Sequence, residues 1–210
     1  MSIIERGRSL ITIYSEKESF NSHRIRFLLA TKNINCKIID VDKNNLPEDL
    51  LARGDEVEIP ALIDRDMLLY GVSVITEYLD ERYPHPPLMP PDPMTRARLR
   101  FTAYRLESGW FSYVNKIEQS VGESKKQFIA ELTEELVSHA SLFEEQDYFM
   151  NPDMTLVDTH LIPFLWRLEH YGLDWEALPK PLRNYAHRMF QSTAFKKSIT
   201  ETEREYRFDF

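Results

Sequence analysis

Few side chains in this sequence have the type and spacing that chemistry requires. Hydroxyls gather at Ser15, Ser19 and Ser22, beside His23 and Arg24, where a polar stretch gives way to helical spacing. They are the candidates for hydroxyl chemistry, although serine at a helix start ordinarily serves as a cap. The single cysteine, Cys36, falls in a β-branched run and reads as a small buried hydrophobe rather than a nucleophile. His23, His139, His160, His170 and His187 are scattered over different helical segments. No pair of them shows zinc-ligand spacing with a carboxylate between. With 6 glycines the chain holds no glycine-rich phosphate loop. The residues therefore assign no catalytic group, no metal ligand and no cofactor.

A second kind of chemistry is display. Of residues 84–93, six are proline. Each proline fixes φ and removes a backbone donor, so neither a helix nor a central strand continues there. Residues preceding proline are pushed towards extended geometry as well. The reading is a stiff, extended connector that presents Tyr83, Pro84, His85, Pro86, Pro87 and Leu88 at little entropic cost. Tyr83, His85 and Leu88 would form its aromatic and apolar centre. Arg96, Arg98 and Arg100 follow, either as a solvated helix face or as a surface for an acidic partner or DNA backbone.

Composition narrows the partners. The chain has 210 residues, 42% hydrophobic and 29% charged, with a net charge of −8. That balance is globular, and it opposes sequence-independent binding to phosphate backbones. No apolar run reaches the roughly 18 residues that span a bilayer. Met1–Arg8 lacks the apolar core and cleavage site of a signal peptide. One cysteine cannot form an intrachain disulfide, which agrees with a cytoplasmic protein.

These candidates must be positioned by two unlike halves. Ser9–Tyr14 and Cys36–Val41 read as strands, with a helix from Ser22 between them whose apolar residues are Ile25, Leu28 and Leu29. Arg24, Arg26 and Lys32 occupy its other faces. This order suggests a right-handed βαβ unit. A short helix from Pro47 to Leu51 follows. Ala61–Asp64 and Met67–Tyr70 form a hairpin around Arg65-Asp66. A helix with Val74, Ile75, Tyr78 and Leu79 on one face ends near Arg82. Beyond Pro93 only helices are predicted: Met94–Gln119, Lys126–Phe143, one opened by a capping box at Thr155 and Asp158, Pro179–Phe190, and Thr193–Glu205. Pro163 predicts a kink or a missing bond in the third of these. The tail from Tyr206 to Phe210 is expected to fray. The domain reading is 1–83, a connector 84–93, and 94–210.

The first half resembles the thioredoxin fold, with Ile59-Pro60 at its cis-proline turn. A thioredoxin-like N-terminal domain followed by an all-helical C-terminal domain resembles the glutathione transferase architecture. That resemblance implies a thiolate-stabilising hydroxyl at the first helix and an acid-serine pair at the third. Ser19-Phe20-Asn21-Ser22-His23-Arg24 is similar to the former, with Phe20 where proline is usual. The acid-serine pair is missing, because Gly71 and Val72 stand there and Ser73 is one residue late. Losing two hydrogen bonds to charged groups would cost about 3–6 kcal/mol, or about a hundred- to ten-thousand-fold in affinity. Transferase or thiol-transfer activity is therefore the runner-up.

Tyr78-Leu79-Asp80-Glu81-Arg82-Tyr83-Pro84-His85-Pro86-Pro87-Leu88-Met89-Pro90 resembles the signature of the stringent starvation protein A family. Ser22-His23 with Arg26, Glu48-Asp49-Leu50, Pro163 with Leu165-Trp166-Arg167-Leu168, and Thr200-Glu201 with Glu203-Arg204-Glu205 extend the match across both halves. The resemblance implies association with bacterial RNA polymerase holoenzyme and transcription control under starvation and stress. It implies no transferase activity, and a functional surface at Pro84, His85 and Pro86. Promoter DNA would be met only through the polymerase, and a homodimer is expected.

Overall fold

The computed structural model describes residues 10–53 and 57–207. The leader assignment at Met1–Arg8, the strand start at Ser9 and the tail residues 208–210 lie outside the described residues. The first half runs β1 (Thr12–Ser15), α1 (Phe20–Thr31), β2 (Lys37–Asp40), α2 (Glu48–Leu51), β3 (Ala61–Asp64), β4 (Met67–Tyr70) and α3 (Val72–Arg82). Its sheet has the order β2-β1-β3-β4, with β1 and β2 parallel and the other pairs antiparallel. Ile13 pairs with Ile38 on one side and Leu62 on the other, and Leu62 pairs with Leu69. This is the thioredoxin-like arrangement. Ile59-Pro60 is cis. β1 begins three residues later than the expected Ser9–Tyr14 and ends one residue beyond it, and Cys36 stands just before β2, half-buried.

The second half is helical: α4 (Pro93–Ser108), α5 (Ser112–Glu118), α6 (Gly122–Ser138), α7 (Leu156–Tyr171), α8 (Lys180–Phe190), α9 (Thr193–Ser198) and α10 (Glu201–Arg204). The single helix predicted over Met94–Gln119 is broken at Gly109. A Cβ there would lie 2.8 Å from the Arg105 carbonyl oxygen, so the chain turns where only glycine fits. Lys126–Phe143 likewise becomes α6 and a separate 3-10 turn at Ala140–Phe143. Thr193–Glu205 divides at Thr200, which caps α10 in a box with Glu203.

α7 is the buried axis. Every residue from Leu156 to Leu168 is buried, Pro163 included, and the helix runs through that proline without interruption. The predicted capping box is present. Asp158 Oδ2 accepts from the Thr155 amide at 2.8 Å, and the Thr155 hydroxyl accepts from the Val157 amide at 3.2 Å. Asp158 Oδ1 also accepts from the Phe149 amide and the Tyr185 hydroxyl. α1 packs against α7 and α9 from the other half, so one hydrophobic core is continuous across both. The start of the tail is docked rather than frayed. Tyr206 stacks on His170 with ring centroids 3.9 Å apart, and Arg207 Nε reaches Glu169 at 2.8 Å.

Candidate functional site

A cleft of about 1340 Å³ opens between the halves at the start of α1. Ser19 is there, but its hydroxyl accepts from the Ser22 amide at 3.3 Å and acts as the α1 N-cap. The buried Ser22 hydroxyl accepts from the Glu16 amide at 3.0 Å. At the acid-serine position Gly71 has φ +85°, Val72 begins α3 and Ser73 faces solvent. Six carboxylates line the cleft (Glu16, Glu18, Asp40, Asp42, Glu107, Glu118) against two lysines, Lys17 and Lys43. That balance repels an anionic tripeptide. Burial pushes the Cys36 thiol up to about 11, so it stays protonated near neutrality. Among the described residues no group of histidine, cysteine and carboxylate side chains is placed to hold a metal.

Behind the cleft lies a polar network that the sequence reading did not anticipate. Glu203 is fully buried, and its carboxylate accepts from Arg26 Nη2 at 2.7 and 2.8 Å, from Arg167 Nη2, and from the Thr200 amide at 3.0 Å. Arg26 also donates to the Ser15 hydroxyl at 2.8 Å and the Glu16 carbonyl at 2.9 Å, fixing the loop between β1 and α1. Arg167 Nη1 lies 2.7 Å from His23 Nδ1, and His23 Nε2 lies 3.1 Å from the Ser198 hydroxyl, which donates to the Phe195 carbonyl. Since guanidinium only donates, His23 Nδ1 accepts and its proton sits on Nε2. Desolvation first, then Arg167 and Arg26, holds His23 well below its ordinary range. Nearby, Arg24 donates to Glu107 and, from Nε at 3.2 Å, to His160 Nδ1. Burial and then Arg24 hold His160 low too. The sequence signal was faint: α1 carries Arg24 and Arg26, with Lys32 as its C-cap, on faces that a surface helix would give to water.

The connector is the other site. It is not a straight strut, since it bends at Tyr83, at His85-Pro86, at Leu88-Met89 and at Pro91, and the His85-Pro86 bond is cis. Pro84, His85, Pro86 and Pro87 are exposed and Tyr83 is half-buried, with the Arg82 guanidinium 5.6 Å from its ring centroid. Leu88 does not join that surface. It is 3% exposed and belongs to the core, with its carbonyl accepting from the Leu156 amide at 3.0 Å. An apolar side chain between two halves is drawn inwards once the backbone on either side is held. Asp80 does the holding. Its Oδ1 accepts from the Leu88 amide at 3.0 Å and from Lys32 Nζ at 2.6 Å, and its Oδ2 accepts from the Met89 amide at 3.0 Å. Lys32 Nζ also donates to the Pro86 carbonyl at 2.5 Å. Of the three arginines beyond, Arg96 pairs with Glu81 at 3.0 Å and Arg100 with both oxygens of Glu77, fastening α4 to α3. Arg98 reaches Met94 Sδ at 3.7 Å.

A thioredoxin-like half, a helical half and a cleft between them define the glutathione transferase fold class. A family model described as "Glutathione S-transferase, N-terminal domain" matches residues 14–87. The chain belongs to the stringent starvation protein A family. It is 40% identical over 204 residues to the stringent starvation protein A homolog of Coxiella burnetii, covering 95% of this chain and 96% of that one. Identity to the Haemophilus influenzae homolog is 36% over 202 residues, covering 96% and 95%. Among solved structures, a Tau class glutathione S-transferase from mango superposes with a TM-score of 0.79 at 24% identity, covering 96% of this chain and 98% of that one. That likeness concerns the fold alone.

Proposed function

We propose that the protein is a non-catalytic transcription regulator of the cytoplasm that docks on bacterial RNA polymerase holoenzyme in starvation and stress. It meets promoter DNA only through that complex. The observation that carries the reading is the exposed Pro84–Pro87 surface beside half-buried Tyr83, held by buried polar groups, in a chain of this family whose acid-serine pair is replaced by Gly71 and Val72. Pro84, His85 and Pro86 form the centre of the docking patch. Buried Leu88 supports it from beneath. No helix among the described residues is long and apolar enough to cross a membrane. A homodimer fits the exposed Val74 of α3 and the Met94, Phe101 and Tyr104 side chains of α4, whose spacing places the last three on one helical face.

The test is transcription from a responsive promoter with the Pro84→Ala/His85→Ala/Pro86→Ala variant, beside its thermal melt. Lost activation with an unchanged melt is expected; full activity would refute the patch. The cleft, with Ser19 at its rim, favours transferase activity as the second reading. Calorimetry with millimolar glutathione is expected to show no specific heat, and a micromolar dissociation constant would reverse the order of the two readings.

A further inference from the structure

We propose that Lys32 and Asp80 are positioning residues that hold the 83–89 loop in the one conformation its partner reads. The inference rests on the docking role proposed above and concerns how the patch keeps its shape.

The prolines cannot fix that shape by hydrogen bonding, because in Pro84-His85-Pro86-Pro87 only His85 has a backbone N–H. The restraint comes from outside the segment. Lys32 ends at a fully buried side chain, donating to Asp80 and to the Pro86 carbonyl. Asp80, 6% exposed, spends both oxygens on the amides that follow the patch, at Leu88 and Met89. One ion pair therefore grips the exposed turn on its carbonyl side and its amide side. Its members come from α3 and from the residue that caps α1 at its C-terminal end. Arg96 and Arg100, which fasten α4 to α3, touch no atom of the patch. A buried ion pair often adds little net stability over apolar groups of similar volume, so a pair kept here serves conformation better than it serves stability.

That property supplies the test. Lys32→Met with Asp80→Leu replaces the pair by apolar side chains and removes every acceptor for the two amides. The chain is expected to stay folded, with a melt lowered only by what the two stranded amides cost. Hydrogen exchange of the Leu88 and Met89 amides should accelerate by about tenfold or more. The His85 ring resonances should move, and promoter activation should fall to the level of the Pro84/His85/Pro86 alanine variant. Lys32→Arg, which keeps a cation and donors, should restore activation. Parental exchange rates and an unmoved His85 signal would overturn the positioning role whatever the partner. A mobilised loop with full activation would also overturn it if the alanine variant is inactive. If the alanine variant is fully active too, the docking reading falls, and the exchange data alone decide whether the pair shapes the loop. Should the double variant fail to fold, Asp80→Asn keeps the volume and is judged by the same amides.

Discussion

Glu203 and Asp80 are each a buried carboxylate around which one junction between the halves is tied, and they tie it in opposite ways. Glu203 gathers two guanidinium groups and closes inward: its donors are sealed beneath α1, α7 and α9. Asp80 gathers one ammonium and two backbone amides, and beyond those amides the chain turns outward with exposed side chains. The first arrangement closes the fold. The second spends the same physics on presenting a surface. The balance of donors marks the difference: two guanidinium groups and one amide at Glu203, one ammonium and two amides at Asp80, and the added amide is what sets the path of the connector.

The harshest way to break this comparison is Glu203→Ala. It strands Arg26 and Arg167 in the core, and the expected loss is about 3–5 kcal/mol in a denaturant titration. A variant that unfolds at the parental midpoint would show that the sealed junction is not an ion-pair knot. Asp158 gives an intermediate case, because its donors are neutral: the Phe149 and Thr155 amides and the Tyr185 hydroxyl. Asp158→Ala should cost about 2 kcal/mol, the upper end for a cap, since a phenol and a second amide lose their acceptor as well. A cost equal to that of Glu203→Ala would erase the distinction between charged and neutral donors.

Acid sharpens the comparison further. His23 and His160 have folded values below the ordinary 6.5, so both are neutral in the folded chain and protonate more readily once it unfolds. Their contribution is complete above pH 6.5 and is lost as the pH falls below it, by up to about 1.4 kcal/mol per pH unit for each histidine. Denaturant midpoints measured from pH 7.5 to 5 should fall, and His23→Gln should flatten the slope. An equal slope in that variant would remove His23 from the account. The smallest effect belongs to the presenting junction: the triple alanine variant at Pro84, His85 and Pro86 should change stability by under about 0.5 kcal/mol.

The local features were legible in the sequence. The hairpin and the Thr155 capping box depend on neighbours within a few residues, where periodicity and turn chemistry speak directly, whereas the cis Ile59-Pro60 bond was implied only by the resemblance to the thioredoxin fold. The polar faces were not. Arg24, Arg26 and Lys32 looked like the solvated side of α1, yet their carboxylates come from Glu107, Glu203 and Asp80, at separations of 83, 177 and 48 residues. Nothing within one helix reveals that its charged side is covered by elements far along the chain. Leu88 misled for the same reason. A proline run argues for exposure, and only the distant Leu156 amide and the Asp80 carboxylate turn that residue inward. The breaks at Gly109 and Thr200 were hidden by hydrophobic spacing that continues across them.

The bond from the Leu156 amide to the Leu88 carbonyl has a mechanical consequence. Leu156 is the first residue of α7, and its amide is among those that a helix cannot satisfy from within. The connector satisfies it. A pull on Pro84–Pro87 therefore loads the end of the most buried helix through the Leu88 peptide group, alongside the Lys32 and Asp80 anchors, and the loop is only as compliant as the core it is tied to. Tension applied at the surface is shared between the start of α7 and the Asp80 and Lys32 anchors rather than dissipated in a slack linker.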